Sequence, residues 1–343
     1  MNDRNKPRVV YLFGAGASSG ALPMVSDLPG QMIAHANQIR ECKGLDITEC
    51  PIRLSVNADY EQTIDEYVEA MNELARHAQA HESIDTYAKK LYIGGKRKAL
   101  EQLKILLTTY FSYNQMTSGK VDSRYDGFFA SIMGIDEKSL ASISDDVLLL
   151  TWNYDLQLPL MFKRYWYDAR LEMAMEGLRL TTLESLLNVE TIPKVIHLNG
   201  VVAGSYRGLM PVIPDGISRA EQVLRVLDLF VRNRDGLSGN GRLTMVRFAW
   251  EDEARIRQCL LRLAGIMDEC EVLVAIGYSF PFFNRVIDRA VIGGMPKLKK
   301  VYLQSTEHGI KAVANAFKAI PLQNNVDIVL YDSVDKFMLP PEL

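Results

Sequence analysis

The sequence predicts an α/β protein with a parallel sheet and helices on both of its faces. Residues 9–13 form an apolar stretch that runs into a glycine-containing turn. Residues 147–152 are apolar except for Thr151, as expected for a strand buried on both faces. In the last third of the chain, short apolar stretches alternate with segments of helical periodicity. Regular alternation of this kind is typical of parallel sheets.

The composition is that of an ordinary folded protein. Of its 343 residues, 48% are hydrophobic and 24% are charged, and the formal net charge is −3. This charge gives no general attraction to nucleic acid or to anionic lipid, so we expect neither as a direct partner. The first residues lack the apolar core of a signal peptide, and no apolar stretch is long enough to span a bilayer. We therefore expect a cytoplasmic protein.

The cysteines and histidines do not form a metal-binding pattern. The four cysteines are Cys42, Cys50, Cys259 and Cys270, and none belongs to a Cys-x-x-Cys pair. The five histidines are scattered along the chain. A structural zinc site normally needs closely spaced pairs of such ligands, so we expect free thiols and no metal.

The first strand and the turn after it carry the earliest sign of a ligand. Residues 9–13 are followed by Gly-Ala-Gly-Ala-Ser at residues 14–18, and residues 29–39 have a helical pattern. A strand, a Gly-x-Gly turn and a helix open many nucleotide-binding domains, because glycine lets the backbone approach a phosphate. The third glycine of the dinucleotide fingerprint is replaced by Ser19. A plain strand-to-loop turn therefore fits the pattern equally well.

Residues 59–114 are predicted to form a helical insertion. Apolar residues recur three and four positions apart from residue 60 to 71 and from residue 99 to 111. The segment is too long for a simple crossover, so we assign residues 1–58 and 115–343 to the sheet domain and residues 59–114 to a subdomain. Its basic residues between 89 and 98 are interpreted as a solvated helix face, or as a surface for a partner or for self-association.

Two strands in the middle of the chain end in polar residues. The strand at residues 147–152 leads to Asn153 and Asp155, and the next strand carries His197 and Asn199. Ligands bind at the carboxyl ends of strands in open α/β sheets, although Asn153 or Asp155 would also serve as a helix cap. Because side chains two positions apart share a strand face, we expect His197 and Asn199 to point the same way.

The last third supplies most of the predicted sheet. Residues 204–241 are interpreted as a mobile loop region with one helix at residues 220–230, of a size often found in lids. The elements predicted after it are strands at residues 243–248, 271–277, 299–304 and 326–330, and helices at residues 251–267, 282–291 and 307–319.

Four motifs at predicted strand ends resemble those of the sirtuin-like family. In chain order they are Gly14-Ala15-Gly16-Ala17-Ser18, Thr151-Trp152-Asn153-Tyr154-Asp155, His197-Leu198-Asn199-Gly200 and Ile276-Gly277-Tyr278-Ser279-Phe280. They are most similar to the bacterial branch that includes NAD-hydrolysing anti-phage defence effectors. The resemblance covers most of the chain outside the insertion. It implies a Rossmann-like domain that binds NAD and cleaves the nicotinamide–ribose bond, in a homo-oligomer or with a protein partner in a defence complex.

The resemblance also implies roles for individual residues. Asn153 would hold the nicotinamide ribose or the attacking water, and Asp155 would support that site. The residues implied to bind NAD are Gly14, Ala15, Gly16 and Ser18 at the pyrophosphate or its adjoining ribose, Gly277 and Ser279 at the adenosine half, and Gln304 and Ser305 near the adenine ribose. Polar groups around a ribose and a positioned water suit cleavage through an oxocarbenium-like transition state.

The chain departs from the family pattern in two places. The paired cysteines of the zinc module of protein-deacylating sirtuins are absent, so we do not expect deacetylation of acyl-lysine. Asn199 occupies the position of the catalytic histidine, and an amide cannot act as a general base near neutral pH. His197 would replace that histidine only if the strand or its own rotamer moved it into place.

Two functions of different classes follow from these observations. The first is an NAD hydrolase that releases nicotinamide and ADP-ribose, with Asn153 at its centre and His197 or water alone as the proton acceptor. The second is a non-catalytic subunit that binds NAD or ADP-ribose. An NAD-dependent dehydrogenase is less favoured, because no second strand ends in an acidic residue about twenty positions after the glycine turn.

Overall fold

The structure, a computed structural model, describes residues 6–54, 58–135, 141–166, 170–205, 209–236, 244–248, 250–251 and 253–343. Its strands are β1 (Val9–Phe13), β2 (Met133–Ile135), β3 (Ala141–Ile143), β4 (Val147–Thr151), β5 (Thr181–Thr182), β6 (Val195–His197), β7 (Gly200–Val201), β8 (Ala203–Ser205), β9 (Leu209–Pro211), β10 (Met245–Val246), β11 (Val272–Ile276), β12 (Lys300–Gln304) and β13 (Asp327–Tyr331). Its α-helices are α1 (Leu28–Arg40), α2 (Tyr60–Gln79), α3 (Ile84–Ile93), α4 (Arg97–Ser118), α5 (Arg124–Ile132), α6 (Gln157–Lys163), α7 (Leu171–Gly177), α8 (Arg219–Arg234), α9 (Glu253–Met267), α10 (Arg285–Gly293) and α11 (Ile310–Lys318).

Seven parallel strands form the central sheet, in the order β13-β12-β11-β1-β4-β6-β5. Every residue of β1, β4 and β11 is buried. Alternate residues of β1 enter two apolar clusters, because successive side chains of a strand point to opposite faces. Helices α9, α10 and α11 contribute to one cluster, and α5, α6 and α7 contribute to the other. The predicted α/β class is therefore confirmed, and the fold is Rossmann-like.

A third apolar cluster joins the predicted insertion to two other helices. Helices α2, α3 and α4 pack with α1 and with α8 around buried side chains such as Met32, Tyr67, Leu107 and Phe230. Tyr67 is held further by two hydrogen bonds at its hydroxyl, one shared with His35 Nε2 (2.8 Å) and one shared with Thr109 Oγ1 (2.9 Å). The division at residues 59–114 stays a prediction, but the packing unit around these helices includes α8 from far along the chain.

The region between residues 204 and 248 differs from its prediction. It contains the β8–β9 hairpin, and its helix α8 is longer than the one expected at residues 220–230. The strand predicted at residues 243–248 is reduced to β10, which pairs antiparallel with β7 outside the central sheet. An apolar run is compatible with a ribbon as well as with a central strand, so its pattern could not decide between them. Residues 206–208 and 237–243 lie outside the described residues.

No described helix combines the length and the apolar composition needed to cross a bilayer.

Candidate functional site

A cleft of about 640 Å³ lies at the carboxyl edge of the sheet, beside the ends of β1, β4 and β11. The strand order reverses between β1 and β11, because the chain continues from β1 to β4 on one side and from β11 to β12 on the other. Ligands of open α/β sheets bind at such switch points. The volume falls within the range of roughly 300–1,000 Å³ that is typical of small-molecule sites.

The glycines at one end of the cleft are required by contact between two loops. The Gly14 N–H donates to the carbonyl of Ile276 (3.0 Å), and the Gly16 N–H donates to that of Gly277 (3.0 Å). A Cβ atom at Gly14 would lie 2.6 Å from the Gly277 oxygen. A Cβ atom at Gly277, where φ is +62°, would lie 2.5 Å from the Ala17 nitrogen. Close packing of the turn against the loop after β11 therefore explains the glycines at these positions. A phosphate that approached the turn would be a second reason for them.

Three side chains from the ends of β1 and β4 form a hydrogen-bonded network. The Asn153 amide Nδ2 donates to the Gly14 carbonyl (3.0 Å) and to Ser18 Oγ (3.1 Å). Ser18 Oγ donates to Asp155 Oδ2 (2.7 Å), and the Gln157 N–H donates to Asp155 Oδ1 (3.0 Å). These contacts fix the side chains of Asn153 and Asp155. We call this part of the cleft, formed by residues 14–18, Gly277, Asn153 and Asp155, the glycine end.

Asp155 is a buried carboxyl with a raised pKa. It is 7% exposed, and burial raises its pKa to about 6 although hydrogen bonds from Ser18 and Gln157 act in the opposite direction. Both of its oxygens accept hydrogen bonds. Its bond to the Gln157 N–H reaches the first residue of α6, but the N-cap position is Leu156, and no side chain caps the helix there. Asp155 therefore orients Ser18 and the loop around it.

His197 and Asn199 do not share a strand face. Strand β6 ends at His197, and residues 198 and 199 form a turn, so the two-residue period stops before Asn199. His197 Nδ1 donates to the Asn153 carbonyl (2.9 Å), and burial lowers the pKa of its imidazole to about 4. All the predicted site residues except His197 line the cleft. His197 is therefore a neutral group that supports the backbone of Asn153.

The opposite end of the cleft contains an acidic residue that the sequence analysis missed. The Tyr154 hydroxyl donates to Asp85 Oδ1, and the Asn199 side chain hydrogen-bonds to Tyr154. Asp85 lies in the first turn of α3, within the predicted insertion. Burial raises its pKa, and the hydrogen bond from Tyr154 opposes that rise. We call Asp85, Tyr154 and Asn199 the insertion end of the cleft.

Arg124 is a second residue that the sequence analysis missed. Its Nη2 donates to the Gly16 carbonyl (2.9 Å) and to Ser19 Oγ (3.1 Å), and its Nε donates to Asp122 Oδ1 (2.8 Å). Among the described residues that line the cleft, Arg124 is the only arginine or lysine. Asp122 also accepts the Gly20 N–H (2.7 Å). Arg124 Nη2 also pairs with Asp122 Oδ2 at 2.5 Å, so the two charges offset each other and the pair braces the glycine turn. No local motif would have revealed this pair.

The side chain of Gln304 is used to hold the C-terminal segment. Its Nε2 donates to the carbonyls of Ser333 (2.7 Å) and Lys336 (2.6 Å), and its Oε1 accepts the Met338 N–H (2.9 Å). Gln304 thus lines the cleft with its amide already engaged. The neighbouring Ser305 is partly exposed at the cleft. Of these two residues, Ser305 is the one whose side chain suits direct contact with a ligand.

Four free, buried cysteines are present in the described structure, and no group of three or more His, Cys, Asp or Glu among the described residues is arranged to hold a metal ion.

The sequence matches no protein-family model, and no curated protein sequence matches it significantly. The function of the cleft is therefore inferred from its own residues.

Proposed function

We propose that this protein binds NAD in the cleft and hydrolyses it to nicotinamide and ADP-ribose. The observation that carries the proposal is the hydrogen-bonded network of Ser18, Asn153 and Asp155 at the switch point of a parallel sheet. A fixed amide beside a glycine turn is suited to orienting a ribose or a water molecule. Membership of the sirtuin-like family and a defence role with a protein partner or as a homo-oligomer are further proposals that depend on the motif resemblance alone. A cytoplasmic location is also a proposal, and it depends on the composition of the sequence.

The residues of the cleft fit the chemical parts of NAD. Arg124 places guanidinium N–H groups beside the glycine turn, where a pyrophosphate would need donors, while its charge is paired with Asp122. Asn153 and Asn199 offer amide groups for ribose hydroxyls. One wall of the cleft is apolar and suits an aromatic ring, and its side chains are those of Leu22, Pro23, Met24, Val25, Leu28 and Ile84.

Binding without cleavage is the second candidate function. Asn199 stands at the position of the family's catalytic histidine and hydrogen-bonds to Tyr154. His197 lies outside the cleft lining, with its Nδ1 bonded to a backbone carbonyl. These two observations favour a subunit that holds NAD or ADP-ribose as a regulatory or structural ligand.

Incubation of the purified protein with NAD, followed by chromatography of nicotinamide and ADP-ribose, tests the hydrolase directly. We expect Asn153→Ala to lower the rate about 10²-fold or more, since the amide would position the reacting groups. Asn315→Ala, which changes an exposed asparagine on α11 outside the cleft lining, is the matched control and should keep the parent rate.

Two further results would separate the candidates. A parent chain that releases no nicotinamide, together with an Asn199→His variant that does, would favour a binding subunit whose cleft lacks only a base. Calorimetry that detects no binding of NAD or ADP-ribose at millimolar concentration would exclude both functions.

A further inference from the structure

The described residues of the cleft offer few groups able to accept a proton from water. The amide of Asn199 has no basic site near neutral pH, and His197 lies outside the cleft lining. Asp155 already accepts hydrogen bonds at both of its oxygens. Glu82 is exposed at the rim, whereas Asp85 lines the cleft and is fixed by a hydrogen bond. Geometry therefore favours Asp85 over the other acidic residues.

The position of Asp85 is set by contacts on both sides of the cleft. Ser83 caps α3 by accepting the Thr86 N–H (3.1 Å), which fixes the helical turn that carries Asp85. The Tyr154 hydroxyl donates to Asp85 Oδ1 and is in turn held by the Asn199 side chain. A phenol can donate one hydrogen bond and accept another, so Asn199 is able to orient Tyr154 towards the carboxylate.

Tyr154 itself is held rigidly beside Asn153. Its ring lies 6.1 Å from that of Phe248 in an edge-on arrangement and 6.3 Å from that of Phe111. Its backbone carbonyl accepts the Val202 N–H (2.9 Å). Because Tyr154 follows Asn153 directly in the chain, the insertion end and the glycine end are joined through adjacent residues.

We propose that Asp85, held by Tyr154 and Asn199, is the proton acceptor for the attacking water, so that the helical insertion contributes a catalytic residue to the cleft. This inference rests on the proposed hydrolysis of NAD and assigns a residue to its chemistry. Asn199 is then a positioning residue that acts through Tyr154, which explains how an amide is compatible with an active site at this position.

The reaction balances with water as the only co-reactant. The water oxygen forms a bond to C1′ of the nicotinamide ribose while the C1′–N bond breaks. The electron pair of that bond goes to the nicotinamide ring and cancels its positive charge. The water proton passes to the Asp85 carboxylate and is later released to solvent. The products are nicotinamide, ADP-ribose and one proton.

The charges around Asp85 give the proposal a pH signature. The titratable groups that act on it or on its partner Tyr154 are the hydroxyls of Tyr154 and Tyr278 and the carboxyl of Glu251, and Glu82 lines the same cleft. The hydrogen bond from Tyr154 lowers the pKa of Asp85. Removing the phenol hydroxyl therefore raises that pKa, and the pH below which hydrolysis declines should move upwards.

The first test compares Asp85→Asn with the parent under single-turnover conditions with excess protein. We expect the rate of nicotinamide release to fall about 10²-fold or more, as for loss of a general base, while the dissociation constant for NAD stays within about threefold. Asp65→Asn is the matched control, since Asp65 is an exposed residue of α2 in the same insertion. It should hydrolyse NAD at the parent rate.

The second test is the pH profile of Tyr154→Phe, which a purely structural role for Asp85 would not change. We expect the acid limb to shift to higher pH, with a parent-like melting temperature as the check on folding. An Asp85→Asn variant that binds and cleaves NAD like the parent would overturn the inference and leave the hydrolase standing. A parent that binds NAD without cleaving it would also overturn it. A parent that does not bind NAD would instead refute the proposed function.

Discussion

The two ends of the cleft are built in different ways. The glycine end lies on strands that are neighbours in the sheet, where Phe13 of β1 pairs with Thr151 of β4 and with Ile276 of β11. The turn after β1 meets the loop after β11 through backbone contacts, and a side-chain network joins the turn to the end of β4. The insertion end joins three side chains from separate elements, and Asp85 and Tyr154 are 69 positions apart in the chain.

This difference predicts different responses to substitution. At the glycine end a new atom meets backbone, which cannot move without disturbing the sheet. At the insertion end one hydrogen bond changes and the surrounding helices stay in place. We therefore expect changes at the glycine end to affect stability strongly, and changes at the insertion end to affect mainly the chemistry of the cleft.

The largest expected effect is that of Gly277→Ala. The new methyl group would lie 2.5 Å from the backbone of Ala17 and Gly16 at a φ of +62°, so we expect a loss of about 3 kcal/mol in the free energy of unfolding. Gly119→Ala is the control, because φ is +58° there and nothing lies within 4 Å of the new atom. This control variant should lower the free energy of unfolding, measured by urea denaturation, by about 1 kcal/mol. Equal losses would show that backbone conformation alone matters.

A second prediction concerns the buried carboxyl behind the glycine end. Tyr278 donates to Asp288 Oδ1 (3.0 Å), and burial raises the pKa of Asp288 from 3.8 to about 7. A carboxyl whose folded pKa is raised stabilises the fold less as the pH rises from the unfolded value through the folded one. When the pH rises from 5 to 8, the free energy of unfolding of the parent should therefore fall by about 2–3 kcal/mol more than that of Asp288→Asn.

Denaturation of both proteins at the two pH values measures this difference directly. Asp155 titrates in both, so its contribution cancels in the comparison. Parallel stability profiles for the parent and Asp288→Asn would contradict the assignment of the titration to Asp288.

Ser18→Ala should have an intermediate effect. The substitution removes the donor to Asp155 Oδ2 and the acceptor for Asn153 Nδ2, so we expect a loss of about 2 kcal/mol in urea denaturation. Ser123→Ala removes an exposed hydroxyl at the start of α5 that makes no capping bond, and it should change stability by less than about 0.5 kcal/mol. Similar losses for the two variants would mean that the network contributes little.

The smallest effect on stability is expected for Tyr154→Phe at the insertion end. The variant keeps the ring contacts with Phe111 and Phe248 and loses only the hydroxyl. Its free energy of unfolding should therefore be lower by about 1 kcal/mol in urea denaturation. A loss as large as that of Gly277→Ala would show that the insertion end is as rigidly built as the glycine end.

The fold class and most of the glycine end follow from local sequence patterns. Continuous apolar runs and strand–helix alternation define a parallel sheet, and such a sheet brings the carboxyl ends of its strands to one edge. Gly14, Ser18, Asn153 and Gly277 could therefore be expected near one another from local patterns alone.

The insertion end and the roles of several polar residues depend on long-range packing. Asp85 and Arg124 reach the cleft because helices pack, and no local pattern encodes which turn of a helix faces a distant strand. The expectation that His197 and Asn199 share a strand face was wrong because the chain turns directly after His197. Backbone periodicity is a local property that can be read from the sequence, whereas the side chains that meet across a cleft depend on long-range packing.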